Sequence, residues 1–179
     1  MKHLRRTVWY FASRLLVACV VLGLMVVVFY YAMNATNIYI VLKDGMARRA
    51  QVVMMQEDQG ELTKYFQQSF LERDSALMIT AQGQSPYRDY DIRGIDHRLS
   101  MDFMWVWPWD TVARVDITEE LPSIDGRIKG SRAEEAIALY GSDAVYPPRW
   151  QSAKYRAVLT KENSQWRIKS LSLLENLSE

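Results

Sequence analysis

The residues that could carry out acid–base or nucleophilic chemistry lie mainly in one short run, residues 94–103 (GIDHRLSMDF). It contains Asp96, His97, Ser100 and Asp102, which are residue types found in hydrolytic triads. In a strand, the two aspartates and the serine share one face while His97 takes the other. A nucleophile and its base must come within about 3 Å of each other, so this run does not assemble a triad by itself. We expect His97 at a strand edge, solvated carboxylates, and no catalytic residue.

The remaining candidates for metal or cofactor binding are sparse. Asp89 and Asp91 could point the same way, but a hard cation takes six or more oxygen ligands. Arg88 and Arg93 are close in sequence and are expected to pair with these carboxylates instead. A single cysteine, Cys19, and two histidines exclude an internal disulfide and a zinc cluster. No glycine-rich phosphate loop is present, so we predict neither a metal nor a cofactor.

The charge distribution argues against a nucleic-acid partner. The chain has 22 basic and 21 acidic residues, and residues 1–14 contain four of the basic ones and no acid. Beyond position 14 there remain 18 basic and 21 acidic residues, a slight acidic excess. Phosphate neutralisation requires clustered lysine and arginine. We therefore predict that the chain does not bind nucleic acid.

One segment has the composition of a membrane span. Residues 15–33 (LLVACVVLGLMVVVFYYAM) carry no charge and approach the length of about 20 residues that a helix needs to cross the hydrocarbon core. Aromatic residues flank it at positions 9–11 and 29–31, where rings favour the headgroup layer. The basic residues lie on the N-terminal side. This asymmetry predicts a single-pass protein of the plasma (inner) membrane, with a cytoplasmic N-terminus and an extracytoplasmic C-terminal domain.

Three other interpretations of this segment are less consistent with the sequence. A cleaved signal needs a small-x-small site, but Ala32 and Ala35 are three positions apart. The run LVAC ending at Cys19 has the pattern of a lipoprotein processing box, which would make the chain an anchored sensor. However, Arg14 interrupts the apolar stretch before it, and the apolar run continues beyond it. A buried helix of a soluble protein would explain neither the flanking charge nor the aromatic ends.

The pattern divides the chain into four segments. They are a basic cytoplasmic tail (1–14), a transmembrane helix (15–34), a juxtamembrane helix (35–57) and an extracytoplasmic α+β domain (58–179). The juxtamembrane helix has one apolar stripe, formed by Ile38, Leu42, Met46, Ala50 and Val53. Such a stripe packs either on its own domain or on a neighbouring copy, and the first is the commoner case.

The domain combines helical and strand patterns. A capping box at 58–61 predicts a helix through 61–73, and a second box at 131–134 predicts a helix that Gly141 ends. Alternating residues predict strands at 99–107 and 111–121, joined by a hairpin at Pro108, and a last hairpin of strands 153–160 and 166–172 with an irregularity near Ser170. Helices followed by a meandering antiparallel sheet indicate the α+β class.

The last hairpin, residues 153–173 (AKYRAVLTKENSQWRIKSLSL), resembles the closing strands of the nuclear-transport-factor-2-like superfamily. The resemblance covers residues 57–175 and implies helices packed on a curved antiparallel sheet, in a cone-shaped roll. A basic tail, one span and such a domain are together similar to the bitopic scaffold subunits of type IV secretion and conjugation machines. Sporulation and envelope proteins of Gram-positive bacteria use similar layouts.

The resemblance implies a function without catalysis. The scaffold subunits are not enzymes and assemble with copies of themselves and with other channel parts. We therefore expect a membrane-anchored scaffold that binds envelope-complex proteins or forms a homo-oligomer. The alternative is a small-ligand binder or isomerase-like enzyme that uses the interior of the roll. It requires a deep pocket with a buried carboxylate or tyrosine hydroxyl.

The aromatic run MDFMWVWPWD, residues 101–110, bears on the partner surface. Trp105 and Trp107 continue the apolar alternation of the strand and are expected in the core. Trp109 follows a proline and is expected to meet solvent, where it would line a patch that contacts a partner protein or the membrane. The candidate partner-binding residues are Trp109, Tyr146, Arg149 and Trp150, with Leu42, Met46 and Arg49 on the juxtamembrane helix.

Overall fold

The computed structural model describes the backbone of residues 2–177 and the side chains of residues 9–177. Its first element is one helix, α1 (Lys2–Met55), of 54 residues. The transmembrane and juxtamembrane helices predicted separately are parts of this helix, because the chain passes through residues 34–37 without a break. The side chains of Lys2, Arg5 and Arg6 lie outside the described ones, so the basic tail stays a prediction.

The first half of α1 has the properties of a membrane span. Within the described residues, α1 is the one helix long and apolar enough to cross a bilayer, and its most apolar window is entirely unburied. No residue from 9 to 30 is buried against the domain. A core helix of a soluble protein would bury these side chains. Length, composition and exposure therefore agree with a single-pass anchor near the N-terminus.

The second half of α1 forms part of the core of the α+β domain. The predicted stripe is buried in full, at Ile38, Leu42, Met46, Ala50 and Val53. The stripe thus packs on its own domain. Gly45 lies on the same side, where an added Cβ would come within 2.9 Å of Tyr65 Cβ and 3.3 Å of Ile168 Cδ1. Glycine in this helix interior is explained by the close approach of the domain.

Within residues 2–177, the sheet contains four antiparallel strands in the order of the chain. They are β1 (Tyr90–Met101), β2 (Val112–Ile128), β3 (Ala153–Glu162) and β4 (Gln165–Asn176). The sheet is open, and short helices precede and interrupt it. This arrangement confirms the predicted α+β class. Inward residues of β2 alternate as predicted, with Ala113, Val115 and Ile117 buried.

The last hairpin forms as predicted. Asn163 and Ser164 join β3 to β4, with φ angles of 49° and 67°. Positive φ at both positions is typical of two-residue hairpin turns, because it matches the twist of the flanking strands. Val158 pairs with Ser170 and Leu159 with Ile168, so the register skips Lys169. The irregularity predicted near Ser170 is therefore a bulge of one residue on β4.

The structure of residues 58–81 differs from the single helix predicted over residues 61–73. It consists of a 3₁₀ helix (Gln59–Lys64), α2 (Gln68–Leu71) and α3 (Ser75–Ala81). Asp58 caps the first turn as predicted, accepting a hydrogen bond from Gly60 N. The helix then ends because Ile168 N donates to Tyr65 O and Gln67 N donates to Ile168 O, at 2.7 and 2.9 Å. Pairing with β4 thus replaces the helical hydrogen bonds and buries Phe66.

The helix predicted before Gly141 is α4 (Gly130–Tyr140), but it begins without the capping box. Lys129 is the N-cap, and no side chain caps this end. Gly141 ends the helix with φ 85°, as predicted, and a 3₁₀ helix (Ser142–Val145) follows. We call residues 130–146 the α4 arm. It is tied to the sheet where Tyr90 Oη donates to Ala144 O at 3.1 Å.

Candidate functional site

The loop between β1 and β2, residues 102–110, displays aromatic side chains outward and is called the aromatic loop. The exposed fractions are 82% for Phe103, 58% for Trp105, 41% for Trp107 and 68% for Trp109. The residues between them are buried, Met104 at 5% exposure and Val106 at 1%. The prediction that Trp105 and Trp107 fill the core is therefore wrong, whereas the prediction that Trp109 meets solvent is confirmed.

The reason for this error is a change of phase where β1 ends. Leu99 and Met101 face inward on the strand, but the next inward residues are Met104 and Val106. β1 ends at Met101, Asp102 N still donates to Asp116 O at 2.9 Å, and residues 103–110 belong to no strand. A shift of one residue moves every later side chain to the opposite face.

The aromatic loop is held in place against α1. Tyr31 Oη donates a hydrogen bond to Met104 O at 2.9 Å, and Asn34 Nδ2 donates to Pro108 O at 3.5 Å. Tyr31 and Asn34 lie three residues apart, so they share one face of the helix. Within the loop, Trp107 N donates to Asp110 Oδ2 at 2.8 Å. These bonds fix the loop across α1 at the level of residues 31–34.

The exposed rings form a continuous ladder that starts on α1. Ring centroids are 5.0 Å apart for Tyr31 and Trp105, 5.2 Å for Trp105 and Trp107, and 5.1 Å for Trp107 and Trp109. These distances lie in the favourable range for aromatic pairs. The rings therefore hold one another in place in the unbound protein, which reduces the conformational entropy that they would lose on binding.

The α4 arm carries a second exposed apolar surface. No residue of α4 is buried, and Ile137, Leu139 and Tyr140 are exposed, as is Tyr146 just beyond the 3₁₀ helix. Among the described elements, α4 has most of its contacts with that 3₁₀ helix and few with the sheet. Its apolar side chains contribute little to the core and are available for an intermolecular contact.

The other candidate partner residues are distributed differently. Leu42 and Met46 are fully buried in this domain, which corrects their assignment to a partner surface. Arg49 is mostly buried and paired with Asp74. Trp150 is partly buried; it stacks on Tyr87 at 6.4 Å and lies 5.9 Å from the Arg49 guanidinium.

The exposed members of the predicted patch do not form one ring cluster. Arg149 is exposed on the surface beside Trp150. Tyr146 is exposed on the α4 arm, and Trp109 stacks on Trp107 in the aromatic loop. Trp109 and Trp150 therefore stack on different aromatic residues and do not contact each other through their rings.

A buried polar cluster links α1 to the sheet and to α3. Arg49 Nε and Nη2 donate to the two oxygens of Asp74 at 2.7 and 3.2 Å. Asp74 also caps α3, accepting from Ala76 N and Leu77 N at 2.9 and 3.2 Å. Burial alone would lower the pKa of Arg49. The charge and hydrogen bonds of Asp74, with a further attraction to Glu119, outweigh this effect and raise the pKa.

The same cluster includes a histidine–carboxylate pair. His97 Nε2 and Glu119 Oε1 are 3.0 Å apart, and both side chains are almost fully buried. His97 does lie on β1, an edge strand of the sheet, and Asp96 and Asp102 are exposed as expected, but the His97 side chain points into the core instead of solvent. Glu119 Oε2 is buried, and none of the described residues hydrogen-bonds to it. Burial, followed by the negative charge of Glu119, raises the pKa of nearby Tyr155.

This cluster does not form a hydrolytic triad. Within residues 9–177, no serine, threonine or cysteine hydrogen-bonds to His97 or Glu119. Asp96 pairs instead with Arg98, and Asp102 with Lys154, at 2.7 and 2.8 Å. The expected pairs Arg88–Asp89 and Arg93–Asp91 occur at 3.8 and 3.9 Å.

Sequence reasoning missed Glu119, although its strand contained the signal. Ala113, Val115, Ile117 and Leu121 are the inward residues of β2, and Glu119 occupies the inward position between the last two. A carboxylate in the middle of an inward alternation predicts a buried acid with a partner.

Comparison with protein families, with curated proteins and with solved structures gives no match to this chain. No match therefore confirms the predicted resemblance to the nuclear-transport-factor-2-like superfamily, which stays a prediction from the sequence.

Proposed function

We propose that this chain is a single-pass, membrane-anchored and non-enzymatic scaffold or assembly protein. Its extracytoplasmic domain binds partner proteins, or copies of itself, in an envelope complex of the secretion, conjugation or sporulation type. The roll of the nuclear-transport-factor-2-like superfamily and the cytoplasmic N-terminus belong to this proposal.

The observation that supports the proposal most strongly is the continuity of α1. One helix supplies both the apolar anchor and the buried stripe at Ile38, Leu42 and Met46. Sharp bends in helices occur at proline, at glycine–serine pairs or at bulges. Residues 30–44 of α1 contain no proline, glycine or serine. The domain is therefore held at one height and orientation relative to the anchor, as an assembly platform requires.

The α4 arm supplies the surface for a partner protein in this proposal. Its exposed apolar side chains lie on a helix that the sheet does not cover, and tyrosine is enriched in protein interfaces. Because α4 has no buried residue, changes at its exposed positions should leave the fold intact. Partner binding and folding can therefore be measured separately.

Cross-linking in native cells tests this surface. A photoreactive residue in place of Tyr140 in the full-length chain should form a discrete adduct with one envelope protein or with a second copy. The same residue in place of Glu134, also exposed on α4, is the control and should not. Adding Leu139→Asp should lower the adduct yield about tenfold or more, as expected for an interface hot spot.

The result is informative only if the chain remains folded and in the membrane. The Leu139→Asp variant should keep the thermal midpoint of the wild type and stay in the membrane fraction. Equal adduct formation at positions 134 and 140, or no effect of Leu139→Asp, would contradict the proposal that α4 docks a partner.

A specific observation favours a second candidate, a binder of a small anionic or polar ligand. A groove of about 430 Å³ is lined by Arg49, Asp74, Tyr155 and Lys169 and lies beside the buried cluster. Its lining residues include a buried acid, Asp74, and a tyrosine, Tyr155, which are the two residue types that this alternative names. A ligand there should raise the melting temperature of the wild type but not of Tyr155→Phe; equal shifts would rule out binding in this groove.

A further inference from the structure

We propose that the aromatic loop lies in the lipid headgroup layer of the leaflet from which α1 emerges, so that the domain rests on the bilayer surface. The rings concerned are Phe103, Trp105, Trp107 and Trp109. The partner is a lipid surface, not a protein. This inference rests on the membrane anchor of the proposed function, and it adds a second point of membrane contact.

The depth of the loop follows from its contacts with α1. A helix rises about 1.5 Å per residue and crosses a hydrocarbon core of about 30 Å in about 20 residues. Residues 15–34 provide this length, which places Tyr31 in the last turn before the boundary. The centroid of the Trp105 ring lies 5.0 Å from that of the Tyr31 ring, and the Met104 carbonyl oxygen accepts a hydrogen bond from the Tyr31 hydroxyl. The aromatic loop is therefore at the same level as this boundary.

The burial pattern along α1 supports the same position. The domain fully buries no residue of α1 from 9 to 30, and Tyr31 and Asn34 are the first described residues of α1 that hydrogen-bond to the aromatic loop. Tyr30 and Met33, on the other faces of α1, are exposed at this level. The exposed rings thus continue an apolar helix surface that lipid covers. A protein partner would have to enter the headgroup layer to reach them.

The chemistry of the loop matches a headgroup layer without special lipid charge. Tryptophan favours this layer because its ring is apolar and its N–H can hydrogen-bond to water or to lipid. The loop has no lysine or arginine. Its two acids are occupied, since Asp102 pairs with Lys154 at 2.8 Å and Asp110 accepts from Trp107 N. We therefore expect contact with zwitterionic phosphatidylcholine as well as with anionic lipid.

Tryptophan fluorescence of the full-length chain in phosphatidylcholine vesicles tests the inference. Bromine on the acyl chains quenches nearby tryptophans, and it can be placed near the headgroup or near the bilayer centre. Four proteins are compared: the wild type, Trp9→Phe, the triple variant Trp105→Phe/Trp107→Phe/Trp109→Phe, and that triple variant with Trp9→Phe. All substituted rings are exposed, so folding should be retained.

The expected results are specific to each protein. In the Trp9→Phe protein, bromine near the headgroup should quench most of the fluorescence of the loop tryptophans. Bromine near the bilayer centre should quench this fluorescence much less. The quadruple variant retains only Trp150 and Trp166 in the domain and should be almost unquenched. Trp9 in the triple variant should be quenched, because it lies at the other end of the span.

Two failures are distinguishable. Unquenched Trp9 would show that the span is not inserted and would overturn the membrane anchor itself. Quenched Trp9 together with loop emission that bromolipids do not change would overturn this inference alone. Loop emission shielded from aqueous acrylamide but not quenched by lipid would assign the rings to a protein contact, which also contradicts it.

Discussion

Replacing Leu42 with alanine is expected to lower the free energy of unfolding of the α+β domain by about 2–5 kcal/mol, the usual cost of removing a buried leucine side chain. Leu42 is 0% exposed, in the middle of the stripe that α1 packs on the domain. The cavity would lie between α1 and the sheet. The loss should therefore loosen the connection between the anchor and the domain.

Ile40→Ala is the matched control. It lies two residues away on the same helix, is 47% exposed and should change stability by no more than about 0.5 kcal/mol. Pulse proteolysis in urea, with the full-length protein in nanodiscs, measures both variants. If both lost the same stability, or if Leu42→Ala lost none, the stripe would not be part of this domain's core. The stripe would then be assigned to a surface that binds a partner.

Replacing Arg49 with methionine is expected to cost about 3–5 kcal/mol, because it leaves the Asp74 carboxylate buried without its counter-charge. Arg49 makes two hydrogen bonds to Asp74, and both side chains are mostly buried. The pair joins α1 to the start of α3, so the loss should appear in the global unfolding of the domain. Methionine retains the length and apolar volume of the arginine stem.

Two further variants separate charge from packing. Adding Asp74→Asn to Arg49→Met should recover part of the loss, because asparagine can still cap α3 and carries no charge. Arg156→Met breaks a similar two-bond pair with Asp116 on the exposed surface and should have a much smaller effect. A large loss at Arg156, with little at Arg49, would contradict the role of the buried pair.

The sequence predicted those parts of the fold where local pattern and packing agree. The spacing of four residues between Ile38, Leu42 and Met46 identified the face of α1 that is buried. The turn residues at Asn163 and Ser164 lie between alternating strands, and that hairpin forms as predicted. In these segments the neighbouring elements reinforce the local preference.

Other parts depend on contacts that a local pattern does not contain. The helix after Asp58 ends because the backbone of Tyr65 and Gln67 hydrogen-bonds to Ile168, about 100 residues away in the sequence. The rings of Trp105 and Trp107 face outward because the chain leaves the sheet at Met101 and crosses α1. Within the candidate site, Trp109 and Tyr146 were predicted correctly as exposed, and Glu119 was not noticed as a buried acid.

The proposed scaffold requires that α1 crosses the bilayer with the domain on its far side, and cysteine labelling in intact cells can measure this topology. In a Cys19→Ala background, Ser142→Cys in the domain should react with a membrane-impermeant maleimide, and Ser13→Cys should react only after permeabilisation. Cys19 of the unmodified chain should remain unreactive until detergent is added. Labelling of Ser13→Cys and Ser142→Cys from the same side, or of Cys19 in intact cells, would contradict a membrane-spanning α1.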